Sequence, residues 1–164
     1  KGTGYMKPIT VFSWSLVFLW MALIFYLSSQ TGSDSGGMSG RITETVLGAV
    51  QATLPSLDVQ PEMFHTLVRK SAHFFAYFVL ALLAFNAVRR SGARGGKAYL
   101  TAFAIAALYA ASDEFHQSFV PGRGPAVTDV FIDSAGAATA LFICWLVLRS
   151  SVKMPGRIRR LLEN

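Results

Sequence analysis

The chain has 164 residues, 52% hydrophobic and 15% charged, with a formal net charge of +6 and a mean hydropathy of +0.43. That balance is too apolar for an ordinary soluble domain and indicates a small all-α, polytopic membrane protein. The basic excess sits beside apolar runs, so it reads as a topology signal and contact with anionic lipid, and not as nucleic-acid binding. A single cysteine, Cys144, lies inside an apolar run and excludes an intrachain disulfide.

In chain order, residues 1–5 (KGTGY) precede Met6 and are set aside as an appendage. Residues 6–150 form one transmembrane domain, and 151–164 a basic tail. The first apolar run, Val11–Leu27, is long enough to span a membrane. A signal peptide is the alternative. Its bulky aromatic residues and the lack of a small-residue cleavage pattern after it favour a retained anchor. A Ser/Gly-rich loop starts at Ser28. Arg41–Leu54 follows, with Ile42, Val46, Leu47, Val50 and Leu54 at helical spacing, which predicts an amphipathic helix at the outer interface. Pro55 and Pro61 bound a short connection, and Glu62–Lys70 leads helically into the second span, Ser71–Val88.

After the linker RRSGARGGK, Tyr99–Ser112 is a short apolar run that reaches spanning length only if it continues through Asp113 to about Phe119. Val127–Leu148 is the last span and carries Asp129 and Asp133 near its start. A crossing takes about 20 residues at about 1.5 Å rise each, so four spans are expected, the third least strongly marked. Lys7, the linker (Arg89, Arg90, Arg94, Lys97) and the tail beginning at Arg149 place both termini on the cytoplasmic side. Eight of the nine acidic residues and all three histidines then fall toward the outer face.

One window stands out against this apolar background. Asp113, Glu114, His116, Gln117, Arg123, Asp129 and Asp133 lie in or beside segments that otherwise read as membrane-spanning. An ionisable side chain at such depth costs about 2.5–3.5 kcal/mol, so it normally faces protein or a water-filled cavity. Asp113, His116 and Gln117 share a helical face, and Glu114 points about 100° away from Asp113. Arg123 sits in a Pro/Gly turn, where a guanidinium suits bidentate recognition of phosphate or carboxylate. Asp129 and Asp133 stand one turn apart, with Gly136 continuing their face; Gly136-Ala137-Ala138 suits close helix packing. On the second span Lys70, His73 and Tyr77 line one face, descending from the outer surface. Each has an ordinary reading of its own, as a snorkelling lysine, a satisfied core histidine and an interfacial tyrosine. Their convergence with the acidic window marks a site.

Three stretches carry a family resemblance: K-S-A-H-F-x-x-Y (Lys70 to Tyr77), S-D-E-F-H-Q-S-F-V-P-G-R (Ser112 to Arg123) and T-D-V-x-x-D-S-x-G (Thr128 to Gly136). With the Ser28-Ser29-Gln30 exit from the first span, they resemble the VanZ-like family of small bacterial membrane proteins over about residues 10–150. The family is named for a protein that lowers sensitivity to the glycopeptide teicoplanin. One departure is Asp133, where asparagine is common in the pattern.

These readings lead to an expected protein of the bacterial cytoplasmic (inner) membrane with its site facing outward. It binds, and as an enzyme would modify, an anionic lipid, polyprenyl phosphate or lipid-linked wall precursor. Lys70 and Arg123 hold the phosphate, with Tyr77, Gln117 and Asp133 also lining the substrate. His73, Asp113, Glu114, His116 and Asp129 supply acid/base or nucleophilic chemistry. A divalent metal held by Asp113, His116 and Asp129 is a variant of the same site. The alternatives are a non-catalytic binder that masks a lipid, lipoglycopeptide or partner protein, and a proton- or ion-coupled transporter.

Overall fold

Pro8 opens the first long helix, α1 (Pro8–Ser28), at the position where a missing N–H costs nothing. The computed structural model describes residues 7–30, 40, 45–46, 48–49, 52–53, 61–122 and 126–151. Three further long helices follow: α2 (Pro61–Arg90), α3 (Gly95–Gln117) and α4 (Val127–Ser151). Among the described residues there is no strand. α2 does begin at Pro61, so the expected lead-in to the second span is helical. α3 does run through Asp113. Most of the expected amphipathic helix over 41–54 lies outside the described residues, as do residues 1–5 and the tail from 152.

α1, α2 and α4 are long and apolar enough to cross a membrane. α3 is less apolar because Lys97 lies near its start and Tyr109, Ser112, Asp113 and Glu114 near its end. Its inner face is built from Ala98, Ala102, Ala106 and Ala110, four residues apart and at most 1% exposed. Alanine lets neighbouring backbones approach closely. The outward positions carry the large apolar groups instead: Leu100, Leu108, Phe18, Leu19 and Phe131 are each more than 60% exposed. That inside-out distribution fits a bundle surrounded by lipid.

Side-chain contacts fix how the helices run. Near one end, the Thr10 hydroxyl donates to the Arg90 carbonyl (3.2 Å), Asn86 donates to the Ser13 hydroxyl (3.2 Å), and the Trp14 indole donates to Ser91 (3.0 Å). α1 and α2 are therefore antiparallel, and Asn86, a polar interruption in the sequence of the second span, has its partner. The turn into α3 is short because Gly92 adopts φ +99°. Its N–H bonds the Arg89 carbonyl (3.0 Å), and the Ala93 N–H bonds the Val88 carbonyl (3.2 Å). This left-handed, six-to-one closure is the ending that glycine permits without a Cβ penalty. α3 returns beside α1, α4 descends again, and α2 packs against each of the other three helices.

Two hydrogen bonds clamp α1 onto this core: the Trp20 indole donates to the Ala76 carbonyl (2.9 Å), and the Tyr109 hydroxyl to the Met21 carbonyl (2.6 Å). Trp20→Phe and Tyr109→Phe are each expected to lower stability by about 0.5–1.5 kcal/mol. Reversible unfolding in mixed micelles measures this, and losses within error for both would show that α1 is held by packing alone.

Candidate functional site

α2 and α4 run parallel, and this puts their polar residues in register. Lys70 Nζ lies 3.4 Å from Asp129 Oδ1, and His73 Nδ1 lies 3.5 Å from Asp133 Oδ1. Next along, Gly136 meets the backbone of Phe74: a Cβ built on it would stand 2.2 Å from the Phe74 carbonyl oxygen. The glycine thus sets the helix separation at which the two pairs form. Burial deepens along the series. Lys70 and Asp129 side chains are 35% and 14% exposed, those of His73 and Asp133 only 20% and 2%.

α3 brings the other carboxylates to the same end of the bundle. Asp113 is buried, and its Oδ2 accepts a hydrogen bond from Gln117 Nε2 at 3.0 Å, one turn on. The Tyr77 phenol is buried between α2 and α3 and interacts with both Asp113 and Asp133. Tyr109, one turn before Asp113, stacks obliquely on Tyr77 with ring centroids 6.3 Å apart. Asp113, Asp129 and Asp133 all act electrostatically on His73. Three helices therefore contribute to one electrostatic unit.

Two residues take positions the sequence does not suggest. Glu114 Oε1 accepts the backbone N–H of Ala126, and the Ala126 carbonyl in turn accepts the Asp129 N–H (2.7 Å). Glu114 therefore ties the end of α3 to the first turn of α4. His116 turns to α1, where its ring lies against Phe25 with centroids 4.5 Å apart. Its Nε2 is buried without a hydrogen-bond partner. His73, for its part, is held by Asp133 at 3.5 Å. Arg123 lies outside the described residues.

Among the described residues no three His, Cys, Asp or Glu side chains are arranged to hold a metal ion. Asp113, His116 and Asp129 accordingly do not meet as a ligand set. Sequence reasoning also missed Tyr109, Phe25 and Thr128, whose hydroxyl lies 3.5 Å from Asp129 Oδ1. Tyr109 had a signal, since it precedes Asp113 by four residues on one helix face. Phe25 had none, because nothing in the sequence says which face of α1 meets α3.

What the arrangement offers is a cation and a histidine on one helix, each held by an aspartate of another. Phosphate-like anions suit the first, and proton exchange the second. No curated protein and no solved structure matches the chain. The family model described as VanZ/LLP1 matches residues 13–148, most of the chain and all of the helices that build the site. The protein belongs to the VanZ-like family.

Proposed function

We propose that this VanZ-like membrane protein binds an anionic, lipid-linked phosphate at the outer leaflet, the ligand being a lipid or polyprenyl phosphate or a lipid-linked wall precursor. The paired arrangement of Lys70–Asp129 above His73–Asp133 carries the reading. Lys70 is the more exposed member and is the group that greets a headgroup; in the sequence, the Pro/Gly segment between α3 and α4 supplies a second cation, Arg123. Asp129 holds Lys70 until a phosphate competes for it. His73 offers Nδ1 to Asp133, which leaves Nε2 to exchange a proton with a bound phosphate, so the site has acid/base capacity beside its binding role. A contribution to glycopeptide resistance would follow from masking or altering a wall precursor.

In this reading α3 is the fourth span. Its 23 residues cover about 34 Å at 1.5 Å each, enough for the hydrocarbon core. Both termini are cytoplasmic and the acidic end of the bundle faces out. Topology has a direct test, because Cys144 is the only cysteine and can be removed. In a Cys144→Ser background, a cysteine at Ser118 is expected to react with a membrane-impermeant maleimide from outside intact cells, and one at Ser91 is not. The opposite pattern sinks the outward site.

Binding is tested with full-length protein in nanodiscs, by native mass spectrometry with a polyprenyl monophosphate against phosphatidylcholine. The phosphate is expected to be retained preferentially, and Lys70→Ala to weaken it by about tenfold or more, the loss of one charge-assisted contact. Stability should change by less than about 1 kcal/mol, since the pair is partly exposed. Equal retention of both lipids, or indifference to Lys70→Ala, rejects the phosphate reading. Teicoplanin susceptibility of cells expressing the wild type or Lys70→Ala then decides the link to resistance.

A further inference from the structure

Among and below the two pairs the bundle contains buried oxygen atoms with unused bonding capacity. The Tyr77 hydroxyl and Asp113 Oδ1 are buried without a hydrogen-bond partner, and Asp133 Oδ1 makes no hydrogen bond beyond its 3.5 Å contact with His73 Nδ1. Their residues are 1%, 4% and 2% exposed, and each comes from a different helix or turn of the core: Tyr77 from α2, Asp113 from α3, Asp133 from α4. A buried acceptor without a partner is costly, and native structures place few of them without a reason. Here the three act on one another. Tyr77 interacts with both carboxyls, and Asp113 and Asp133 interact across the helix interface.

Charge strengthens the case. Asp113 has a neutral donor, Gln117, at 3.0 Å. Asp133 has His73 at 3.5 Å, while Lys70 is engaged by Asp129 nearer the surface. Among the described residues, these two buried carboxyls thus have one titratable base beside them, His73. Carboxylate and phenol oxygens are hard donors, which suit hydrogen ions and alkali ions and not soft transition metals.

We propose that Tyr77, Asp113 and Asp133 form an internal binding site for one small monovalent cation, a hydrogen ion or a sodium ion, inside the helix bundle. The site shares Asp133 with the His73 pair, but it does not use Lys70 and needs no lipid. The titratable groups that act on it are His73 from α2, Tyr109 and Glu114 from α3, and Asp129 from α4.

Full-length protein in nanodiscs without added phosphate lipid is the material for the test, with radioactive sodium as probe and infrared spectroscopy alongside. If sodium is the occupant, saturable binding is expected that choline does not compete, and Asp113→Asn abolishes it. If a hydrogen ion is the occupant, sodium binding is absent and a carboxylic-acid carbonyl band is present. That band disappears on alkaline titration and is missing in Asp113→Asn. Tyr77→Phe keeps the ring volume and provides the variant that folds should Asp113→Asn fail; it is expected to weaken sodium binding or shift the band. Absence of both signals in the wild type overturns the proposal, as does a signal unchanged in Asp113→Asn and Tyr77→Phe. Lys70→Ala separates the two ideas, because it is expected to lose phosphate-lipid retention while the cation signal stays.

Discussion

Gly136→Ala is expected to pry α2 from α4 and to open both ion pairs at once. The added methyl would sit 2.2 Å from the Phe74 carbonyl oxygen, 3.0 Å from its carbonyl carbon and 3.2 Å from its Cα. All three atoms are backbone, so no side chain can rotate away and the helices themselves must separate. Overpacking a tight core costs about 1–3 kcal/mol, and a larger residue such as leucine is expected to prevent assembly. Ala138→Leu, two residues on and exposed, is the control and should be nearly neutral. Unfolding in mixed micelles reads the stability. Distances between spin labels on α2 and α4 read the separation. A Gly136→Ala protein as stable as the wild type, with unchanged spacing, would mean that the close α2–α4 approach is not what holds the site together.

The parts of this site that lie on one helix were legible in the sequence. Lys70, His73 and Tyr77 share a face, Asp113 and Gln117 are one turn apart, and Gly136 sits in a small-residue patch; helical periodicity alone gives each of these. Relations between helices were partly legible. Convergence followed from depth, since groups at the outer ends of adjacent spans must meet, but the pairing did not. Whether His73 finds Asp129, Asp113 or Asp133 depends on the relative stagger of two helices, and that is set by contacts such as Gly136 against Phe74. Glu114 follows Asp113 by one residue and so points off its face, but its partner is a backbone N–H at Ala126, and backbone donors leave no mark in a sequence. The α1 interface was hidden for a different reason. A helix apolar on every side carries no amphipathic signal, so Trp20 reaching Ala76 and Phe25 meeting His116 emerge only from packing. α3 shows the reverse case, since its four buried alanines are regular in sequence, while the acidic residues at its end lower the hydropathy by which a span is recognised.

His73→Leu is expected to be more damaging than the double change His73→Leu with Asp133→Leu. Asp133 is only 2% exposed and His73 lies 3.5 Å away. Removing the histidine leaves a buried carboxyl without the group it pairs with, and breaking one side of a buried pair typically costs about 3–5 kcal/mol, whereas replacing a whole buried pair by apolar groups of similar volume is often neutral or stabilising. The double variant should therefore recover most of the loss, giving a large coupling energy in a double-mutant cycle. Lys70 and Asp129 supply the contrast. That pair is more exposed, so Lys70→Leu, Asp129→Leu and their combination should stay within about 1 kcal/mol of one another. Such a difference follows from depth alone: the upper pair can exchange its partner for a ligand at little cost to the fold, and the lower pair cannot. Additive losses at His73 and Asp133 would show that they do not act as a pair, and with that the proton-exchanging role of His73 would lose its orienting carboxylate.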